Sequence, residues 1–583
     1  MCARVCTIAT LVALVTLGAP LAAQDDGTAG LFTKAGQLPL VAQSMSLRLE
    51  GGDAVVELVQ VFANDGDGLA QADYRLHLPS DATVDGFGFW RDGRFLAATL
   101  QEREEAVRAH RTAAETGHAT GLMQREGAVH SFSVFPIGAH AQQQVAVTLR
   151  LPVVTERGRS HVHLPLDDLL AGAPLSSTIF ALLRTAQPLS AFGVDGASFQ
   201  LVGRGRQWAR LALSSEQPVD IWWSEDGPPL VTTVAAVPLE DGSLALELRL
   251  GLNDASAWRA APRPVVLLVD GSFSMRRRRA ALVELVRRLG EVAPGRLRLV
   301  QVGERTAEVT PGDPAALARG LLAADVGLHA TWDDLVRAAL AAGCAERDGT
   351  ALRGAPEAGP RCLVVTDPQV EGLPPAAERR VETLFLADAD ELAYFGGQLG
   401  QGIASYQPGV EPRAKLFAFA DALALPVLEL TSLEQPGGTL EPVGARLGAV
   451  AEGGMERLFA RTRSTAPLAV ALAVDGHPLS RELPVEVLDV EGEAGRALRR
   501  AFHVTLLADW MAEFRRGADP ELRKKIVDTS LREGIPTELT GLQVDDATGA
   551  LAGTATPGPL LRLLGSTLLG LGLALAWLVR RHQ

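Results

Sequence analysis

The sequence is short of basic residues and of cysteine, and both shortages narrow the possible functions. Lys and Arg number 55 against 69 Asp and Glu, which gives a formal net charge of −14. This acidic balance argues against nucleic acid or anionic lipid as a main partner, since both favour basic surfaces. At 583 residues, 47% of them hydrophobic, the chain is long enough for several folded domains.

Cysteine occurs four times, and two of these residues, Cys2 and Cys6, fall in the apolar segment at the start of the chain. Cys344 and Cys362 do not have the paired spacing of a zinc site. In an oxidising compartment they would form one disulfide; the alternative is two small buried hydrophobic side chains. The sequence leaves both open.

Motifs of the common enzyme classes are also missing. The sequence has no Gly-x-Ser-x-Gly, no His-Glu-x-x-His, no phosphate-binding loop ending in Gly-Lys-Ser/Thr and no Cys-x-x-Cys. We therefore expect a protein without enzymatic activity.

Both ends of the chain predict an extracytoplasmic protein. A basic residue followed by an apolar run predicts a signal peptide over residues 1–23. Residues 560–580 are almost wholly apolar and end in two arginines, a pattern that predicts one transmembrane helix with a short cytoplasmic C-terminus. We expect a single-pass protein of a bacterial cell membrane, with its ectodomain in the periplasm or outside the cell.

The first part of the mature chain is rich in predicted strands. Alternation of apolar and polar residues predicts strands at 45–49, 54–61, 72–78 and 142–149, with an exposed helix over 100–116. Within it, Leu76-His77-Leu78-Pro79, Val84-Asp85-Gly86-Phe87, Glu102-Arg103-Glu104-Glu105-Ala106 and Pro136-Ile137-Gly138 follow one another in a fixed order. This ordering resembles the vault/inter-alpha-trypsin (VIT) domain over residues 32–155. The resemblance implies a β-rich scaffold with no catalytic role.

Residues 156–262 predict a further β-rich segment. His161 and His163 would share one face of a strand there, but a histidine pair with no third ligand in view favours a structural role over metal binding.

Residues 263–425 alternate buried strands with helices. Strands are predicted at 264–269, 297–302 and 361–366, and helices follow Met275 and cover 315–324 and 332–342. This pattern predicts a doubly wound α/β (Rossmann-like) sheet, whose ligands bind at the carboxyl ends of the strands.

The α/β segment resembles the von Willebrand factor type A (vWA) domain, because Asp270-x-Ser272-x-Ser274 matches the metal-ion-dependent adhesion site of that family. The resemblance implies that Thr331 and Asp367 complete the site. Oxygen ligands of this kind suit Mg²⁺, or else Mn²⁺ or Ca²⁺, with one position left for an acidic side chain of a protein partner. The alternative is a strand-ending turn in which Ser274 caps a helix.

Two departures from the vWA pattern bear on this site. His329 and Ala330 precede Thr331 where the family usually has two glycines, and Pro368 follows Asp367 where the family usually has glycine. Arg276 to Arg279 add four cations next to the metal-binding sequence; they either compensate an acidic ligand or partner or form an ordinary solvated face.

Residues 426–553 predict a second β-rich segment with two closing helices, near 504–514 and 520–532. The segment is similar to the end of VIT plus vWA proteins of the inter-alpha-trypsin-inhibitor heavy-chain type. The predicted architecture is therefore multidomain, with the vWA domain inserted between β-rich segments that pack on one another. Two functions remain open: metal-dependent binding of a protein partner, or a structural, assembly or sorting-protease-substrate scaffold with a degenerate metal site.

Overall fold

The computed structural model describes residues 30–545 except 35, 51, 79–81, 92, 116–119, 127–128, 157, 165–177, 184–188, 196–197, 203–206, 213–218, 226, 259–263, 310–328, 345–359, 374–382, 388–402, 406–412 and 445–448. The predicted signal peptide, the predicted helix over 315–324 and the predicted transmembrane helix lie outside the described residues. Within the described ranges, no helix is long and apolar enough to cross a membrane.

The N-terminal part of the chain forms strands and a single described helix. These are β1 (Gly30–Thr33), β2 (Gly36–Gln37), β3 (Leu40–Glu50), β4 (Asp53–Asn64), β5 (Ala70–His77), β6 (Thr83–Arg91), β7 (Arg94–Ala97), β8 (Thr99–Glu102), α1 (Arg103–Glu115), β9 (Thr120–Glu126), β10 (Val129–Ile137) and β11 (Ala141–Pro152). Side chains of β11 alternate between buried and half-buried, which is the period of two expected of a strand with one face on a core. The four strands predicted here are confirmed, and so is the helix, except that residues 100–102 of its predicted range belong to β8.

The segment that follows contributes β12 (Val154–Glu156), β13 (Arg159–Leu164), β14 (Thr178–Leu183), β15 (Leu189–Asp195), β16 (Ser198–Val202), β17 (Gln207–Ala212), β18 (Val219–Glu225), β19 (Leu230–Pro238) and β20 (Leu244–Leu252). Strand β14 pairs parallel with β3, so this segment extends the sheet of the N-terminal part.

Two large sheets enclose the N-terminal core. The first sheet has the strand order β2-β1-β5-β10-β9, and it continues through a later strand, described below, to β8. The second sheet has the order β16-β17-β14-β3-β4-β11-β6-β7. Phe87 of one sheet stacks on Phe132 of the other with ring centroids 4.2 Å apart. Tyr74 is fully buried and donates a hydrogen bond to the Gln60 side chain across the sandwich at 2.7 Å.

The α/β unit consists of β21 (Val265–Asp270), α2 (Arg279–Val292), β22 (Leu297–Val302), β23 (Thr306–Val309), α3 (Trp332–Ala341), β24 (Arg361–Thr366), β25 (Thr383–Ala387), β26 (Ile403–Ser405) and α4 (Arg413–Ala424). Its sheet has the order β23-β22-β21-β24-β25-β26, in which every pair is parallel except β22 with β23. All six side chains of β21 are buried, as expected of a central parallel strand.

Helices cover both faces of this sheet. Val265, Leu267 and Val269 of β21 pack with α2 and α4 on one face. The alternate residues Val266 and Leu268 pack with α3 on the other face. The unit is therefore doubly wound.

A disulfide joins Cys344, just after α3, to Cys362 in β24, with the two Cα atoms 5.8 Å apart. The sequence left this pairing undecided, and the structure decides it in favour of the bond. Its position ties α3 to the amino-terminal end of the strand that α3 covers, opposite the end where Asp367 lies.

The C-terminal part contains β27 (Val427–Glu434), β28 (Glu441–Val443), β29 (Ala449–Ala451), β30 (Gly454–Thr462), β31 (Leu468–Val474), β32 (His477–Leu483), β33 (Glu486–Val487), α5 (Glu493–Gly517), α6 (Pro520–Glu533) and β34 (Thr540–Asp545). Helix α5 is far longer than the segment predicted at 504–514. Its N-terminal half packs on strands β19, β20 and β28 through Leu498 and Phe502, and this burial was not shown by the local pattern.

The segments on either side of the α/β unit fold together. One sheet, β28-β30-β20-β19-β33, combines strands from before and after the unit, and the sheet β29-β27-β31-β32 closes the same core. Near the chain's end, β34 lies between β9 and β8 of the N-terminal sandwich and buries Leu542 and Val544 in its core. The α/β unit is thus an insertion in a β-rich frame.

Candidate metal site in the α/β unit

The predicted site residues lie where the strand order of the α/β sheet reverses. Asp270 is the last residue of β21, and Asp367 directly follows β24, which pairs with β21 in parallel. From β21 the chain proceeds outward to β22 and β23, and later returns to the other side through β24. The carboxyl ends of the two strands at such a switch point form the crevice in which doubly wound sheets bind ligands.

Asp270 is held in place by two hydrogen bonds. Its Oδ1 accepts from the backbone N–H of Ser272 at 2.8 Å, which fixes the turn that leaves the strand. Its Oδ2 accepts from the hydroxyl of Thr366 in β24 at 2.5 Å. The carboxylate is 1% exposed, so the fold places it in a low-dielectric setting.

The two serines and Asp367 stand on the same side of this crevice. The hydroxyl oxygens of Ser272 and Ser274 are 3.0 Å apart, and Ser274 also hydrogen-bonds the Asp367 side chain. Asp367 Oδ1 accepts from the backbone N–H of Gln369 at 2.9 Å. Asp270, Ser272, Ser274 and Asp367 are therefore linked into one oxygen-rich cluster.

Burial raises the pKa of the Asp367 carboxyl above its ordinary value, and the neighbouring charge of Asp270 raises it further. Hydrogen bonds from Ser274 and Gln369 and the charge of Arg278 act in the opposite direction. Two neighbouring buried carboxylates are unfavourable unless one of them is protonated or a cation accompanies them.

Thr331 does not join the cluster. It is the N-cap of α3, where its hydroxyl donates to Asp334 Oδ2 at 2.7 Å and Asp334 in turn accepts from the Thr331 backbone N–H at 3.1 Å. This capping box occupies the hydroxyl that the vWA resemblance assigned to the metal. The Thr331 backbone nevertheless bridges Glu371 in the loop after β24, so its segment borders the crevice.

The two departures from the vWA pattern have visible consequences. His329, at the start of the Thr331 segment, pairs with Glu371 at 3.0 Å, and both side chains are exposed. Pro368 lies inside the turn that Asp367 closes onto Gln369. Both contacts are compatible with the position of Asp367 at the strand end.

The four arginines after the serines differ in exposure. Arg276, Arg277 and Arg279 are exposed, whereas Arg278 is half-buried and close enough to Asp367 to influence its pKa. Arg278 therefore faces the carboxylates, and the other three face solvent.

The cluster fits a small hard cation by the chemistry of its donors: two buried carboxylates and two adjacent hydroxyls, all oxygen. Mg²⁺, Mn²⁺ or Ca²⁺ suit this set. In the described part of the chain, His, Cys, Asp and Glu side chains form no group of three or more that could hold a metal, and His163 instead bonds Asp220 at 2.8 Å. A metal at Asp270 would thus depend on the serine hydroxyls.

Two residues of the site were not foreseen from the sequence. Thr366 orients Asp270, and no local pattern points to it because its role depends on the pairing of β24 with β21. Asp334 engages Thr331, and here a signal exists: Thr-x-x-Asp at the start of a helix has the spacing of a capping box.

The comparison with known protein families agrees with the N-terminal part of this architecture. The family model of the vault protein inter-alpha-trypsin domain matches residues 40–150, which confirms the VIT resemblance. No curated protein matches the chain. The solved structures that it resembles include "von Willebrand factor type A from Catenulispora acidiphila", at 13% identity and TM-score 0.33, covering 53% of this chain and 87% of the other.

Two further solved structures are similar in the same limited way. The ArnB paralog VWA2 from Sulfolobus acidocaldarius is 10% identical with a TM-score of 0.33, covering 54% of this chain and 92% of the other. The pilus adhesin SpaC from Lactobacillus rhamnosus GG is 9% identical with a TM-score of 0.21, covering 49% and 48%. At these TM-scores the likenesses carry no weight for function, and the α/β architecture rests on strand order and register. The chain carries a VIT domain and an inserted, doubly wound α/β unit.

Proposed function

We propose that this protein is an extracytoplasmic binding protein of the cell envelope, whose α/β unit captures a protein partner through a divalent metal. The observation that carries the proposal is the cluster of Asp270, Ser272, Ser274 and Asp367 at the switch point of the sheet. Bound Mg²⁺ would supply an electrophilic centre with a position for an acidic side chain of the partner. Asp270 and Asp367 would hold it, with hydroxyl help from the serines.

The envelope location is supported by the predicted signal peptide and membrane helix and by the disulfide between Cys344 and Cys362, since such bonds persist mainly in oxidising compartments. The absence of enzyme motifs supports a binding role without catalysis.

The main test is calorimetric titration of Mg²⁺ and Mn²⁺ into the purified chain. Asp270→Asn keeps the side-chain oxygen that accepts from Ser272 but removes the charge, so we expect it to lose metal binding without loss of fold. Ser272→Ala should weaken binding as well. Asp67→Ala is the matched control, because it removes a carboxylate whose side chain is fully exposed in another domain. Absence of saturable binding in the parent at millimolar metal would refute the metal-dependent function.

Thr331 requires its own pair of variants. Thr331→Ala and Asp334→Ala both break the same capping box, at a cost of about 0.5–2 kcal/mol to α3. Only the first removes a potential ligand. If Thr331 exchanges Asp334 for the metal, Thr331→Ala lowers metal affinity while Asp334→Ala leaves it equal or raises it.

The capping box favours a second candidate function, a scaffold with a degenerate metal site. In that case the α/β unit would serve structure, assembly or recognition by a sorting protease. Absence of metal binding in the parent and in both the Thr331→Ala and Asp334→Ala variants would support the scaffold.

A further inference from the structure

An exposed cationic ridge begins inside the loop that carries the candidate metal ligands. Residues Ser274–Arg278 form a 3₁₀ helix, in which side chains three positions apart align. Phe273, Arg276 and Arg279 therefore follow one another on the outer side, and Arg277 lies beside them. Met275 is buried and Arg278 half-buried on the inner side. We call the outer set, Phe273, Arg276, Arg277 and Arg279, the arginine ridge.

The ridge holds positive charge that the described part of the protein does not neutralise. Arg276, Arg277 and Arg279 form no ion pair with any described residue. By contrast, Arg287 and Arg288, on the same α2 helix, are paired with Glu284 and Asp421. The whole chain has a net charge of −14, so these three guanidinium groups form a local patch of positive charge on an acidic protein.

Phe273 adds an apolar element to this surface. Its side chain is 60% exposed although it lies between the two metal-site serines. The Arg276 guanidinium lies over its ring, 5.3 Å from the centroid, which orders that arginine in the absence of a carboxylate partner. An exposed aromatic ring with an arginine beside it is a composition typical of interface centres.

We propose that the arginine ridge receives an acidic protein segment that carries several carboxylates, an inference that rests on the partner-binding role proposed for the same site. One carboxylate of the segment is bound at the metal, and its neighbours are bound by Arg276, Arg277 and Arg279. Guanidinium groups match carboxylates in bidentate geometry, so the ridge extends recognition from one acidic side chain to a short acidic run.

An acidic protein segment fits the ridge better than nucleic acid or an anionic membrane. Binding to DNA commonly neutralises several phosphates along a basic face, whereas here three arginines stand in an acidic chain. The ridge also begins at a site whose oxygen ligands suit a metal ion, and such an ion would offer one position to a carboxylate of the partner. Both features limit the ligand to a few anionic groups near one point.

The test uses hexaglutamate as the probe and hexaglutamine as its uncharged counterpart, each titrated into the full chain with Mg²⁺ present. The ridge variant is Arg276→Gln/Arg277→Gln/Arg279→Gln. Its matched control, Arg463→Gln/Arg481→Gln/Lys524→Gln, removes three exposed charges from other elements. We expect hexaglutamate to bind the parent at least tenfold more tightly than it binds the ridge variant, and the control to bind like the parent. Affinity should fall as salt rises.

The outcomes separate this proposal from the metal function. Mg²⁺ binding that survives in the ridge variant, with hexaglutamate binding lost, supports the ridge. Hexaglutamate that binds no better than hexaglutamine, or equally to parent and ridge variant, overturns it, even if Mg²⁺ binds. Arginine-dependent binding of duplex DNA or phosphatidylglycerol vesicles that exceeds hexaglutamate binding also overturns it. Ridge-dependent hexaglutamate binding without any Mg²⁺ binding refutes the metal function and leaves the ridge standing.

Discussion

A buried ion pair between α2 and α4 offers a direct test of how the α/β unit is held together. Arg288 donates from Nε to Asp421 Oδ1 at 2.8 Å and makes a second bond to Oδ2. The two side chains are 4% and 3% exposed. The guanidinium also lies over Phe417, 5.0 Å from the ring centroid. Both groups are therefore desolvated, and the ion pair between them offsets part of that cost.

Replacement of one partner leaves the other charge buried alone. We expect Arg288→Met to destabilise the unit by about 3–5 kcal/mol, as is typical when a buried pair loses one member. For a unit of this size that corresponds to a lowering of the melting temperature on the order of 10 °C. The double variant Arg288→Met/Asp421→Leu removes both charges and should recover most of the loss, because apolar side chains of similar volume suit this site.

Differential scanning calorimetry of the full chain measures the transition, and hydrogen exchange in α2 and α4 assigns it to the α/β unit. Arg298→Met is the matched control: Arg298 pairs with Glu308 at 2.9 Å, but both side chains are 41–50% exposed. Exposed pairs contribute about 0–1 kcal/mol, so the control should change little. A loss under about 1 kcal/mol in Arg288→Met, or a double variant as unstable as the single one, would refute the reasoning.

Three further predictions concern other parts of the fold. Gly121→Ala should destabilise the N-terminal sandwich by about 1–3 kcal/mol in urea unfolding, because the new Cβ would lie 2.9 Å from the Ser133 carbonyl oxygen. Cys344→Ser, which opens the disulfide across 18 positions, should cost the α/β unit about 3 kcal/mol in the same assay. Burial lowers the pKa of His503, so the unfolded chain binds this proton first as the pH falls. His503 should thus leave stability unaffected well above its ordinary pKa of about 6.5 and reduce it as the pH drops below that value, measured by melting between pH 7 and 5.

Each of these predictions has a control. Gly68→Ala meets nothing within 4 Å and should be tolerated; equal damage at both glycines would contradict the steric argument. A reducing agent should destabilise the parent but not Cys344→Ser, and an unchanged parent would show that the disulfide contributes nothing. The His503→Gln variant should lose part of the pH dependence, whereas an identical profile would exclude His503 as its source.

Near-neighbour patterns were sufficient to predict several of the individual elements. The run from Val265 to Val269 predicted a strand buried on both faces, and all of its side chains are buried. Alternation in β11 and the helical spacing in α2 were equally readable, since each reflects which face of one element meets the core. The chain order of strands and helices then predicted the doubly wound sheet, and with it the position of Asp270 and Asp367 at strand ends.

The tertiary structure alone decided how distant segments meet. Strand β34 pairs with β8 across more than four hundred residues, and β20 pairs with β30 around the whole α/β unit. Such pairings depend on which edges remain free once the rest has folded, and no local pattern encodes that. The contact of Thr366 with Asp270, which joins two neighbouring strands, has the same character. The sequence specifies which side chains lie at each strand end, and the packing of strands against one another determines which of those side chains touch.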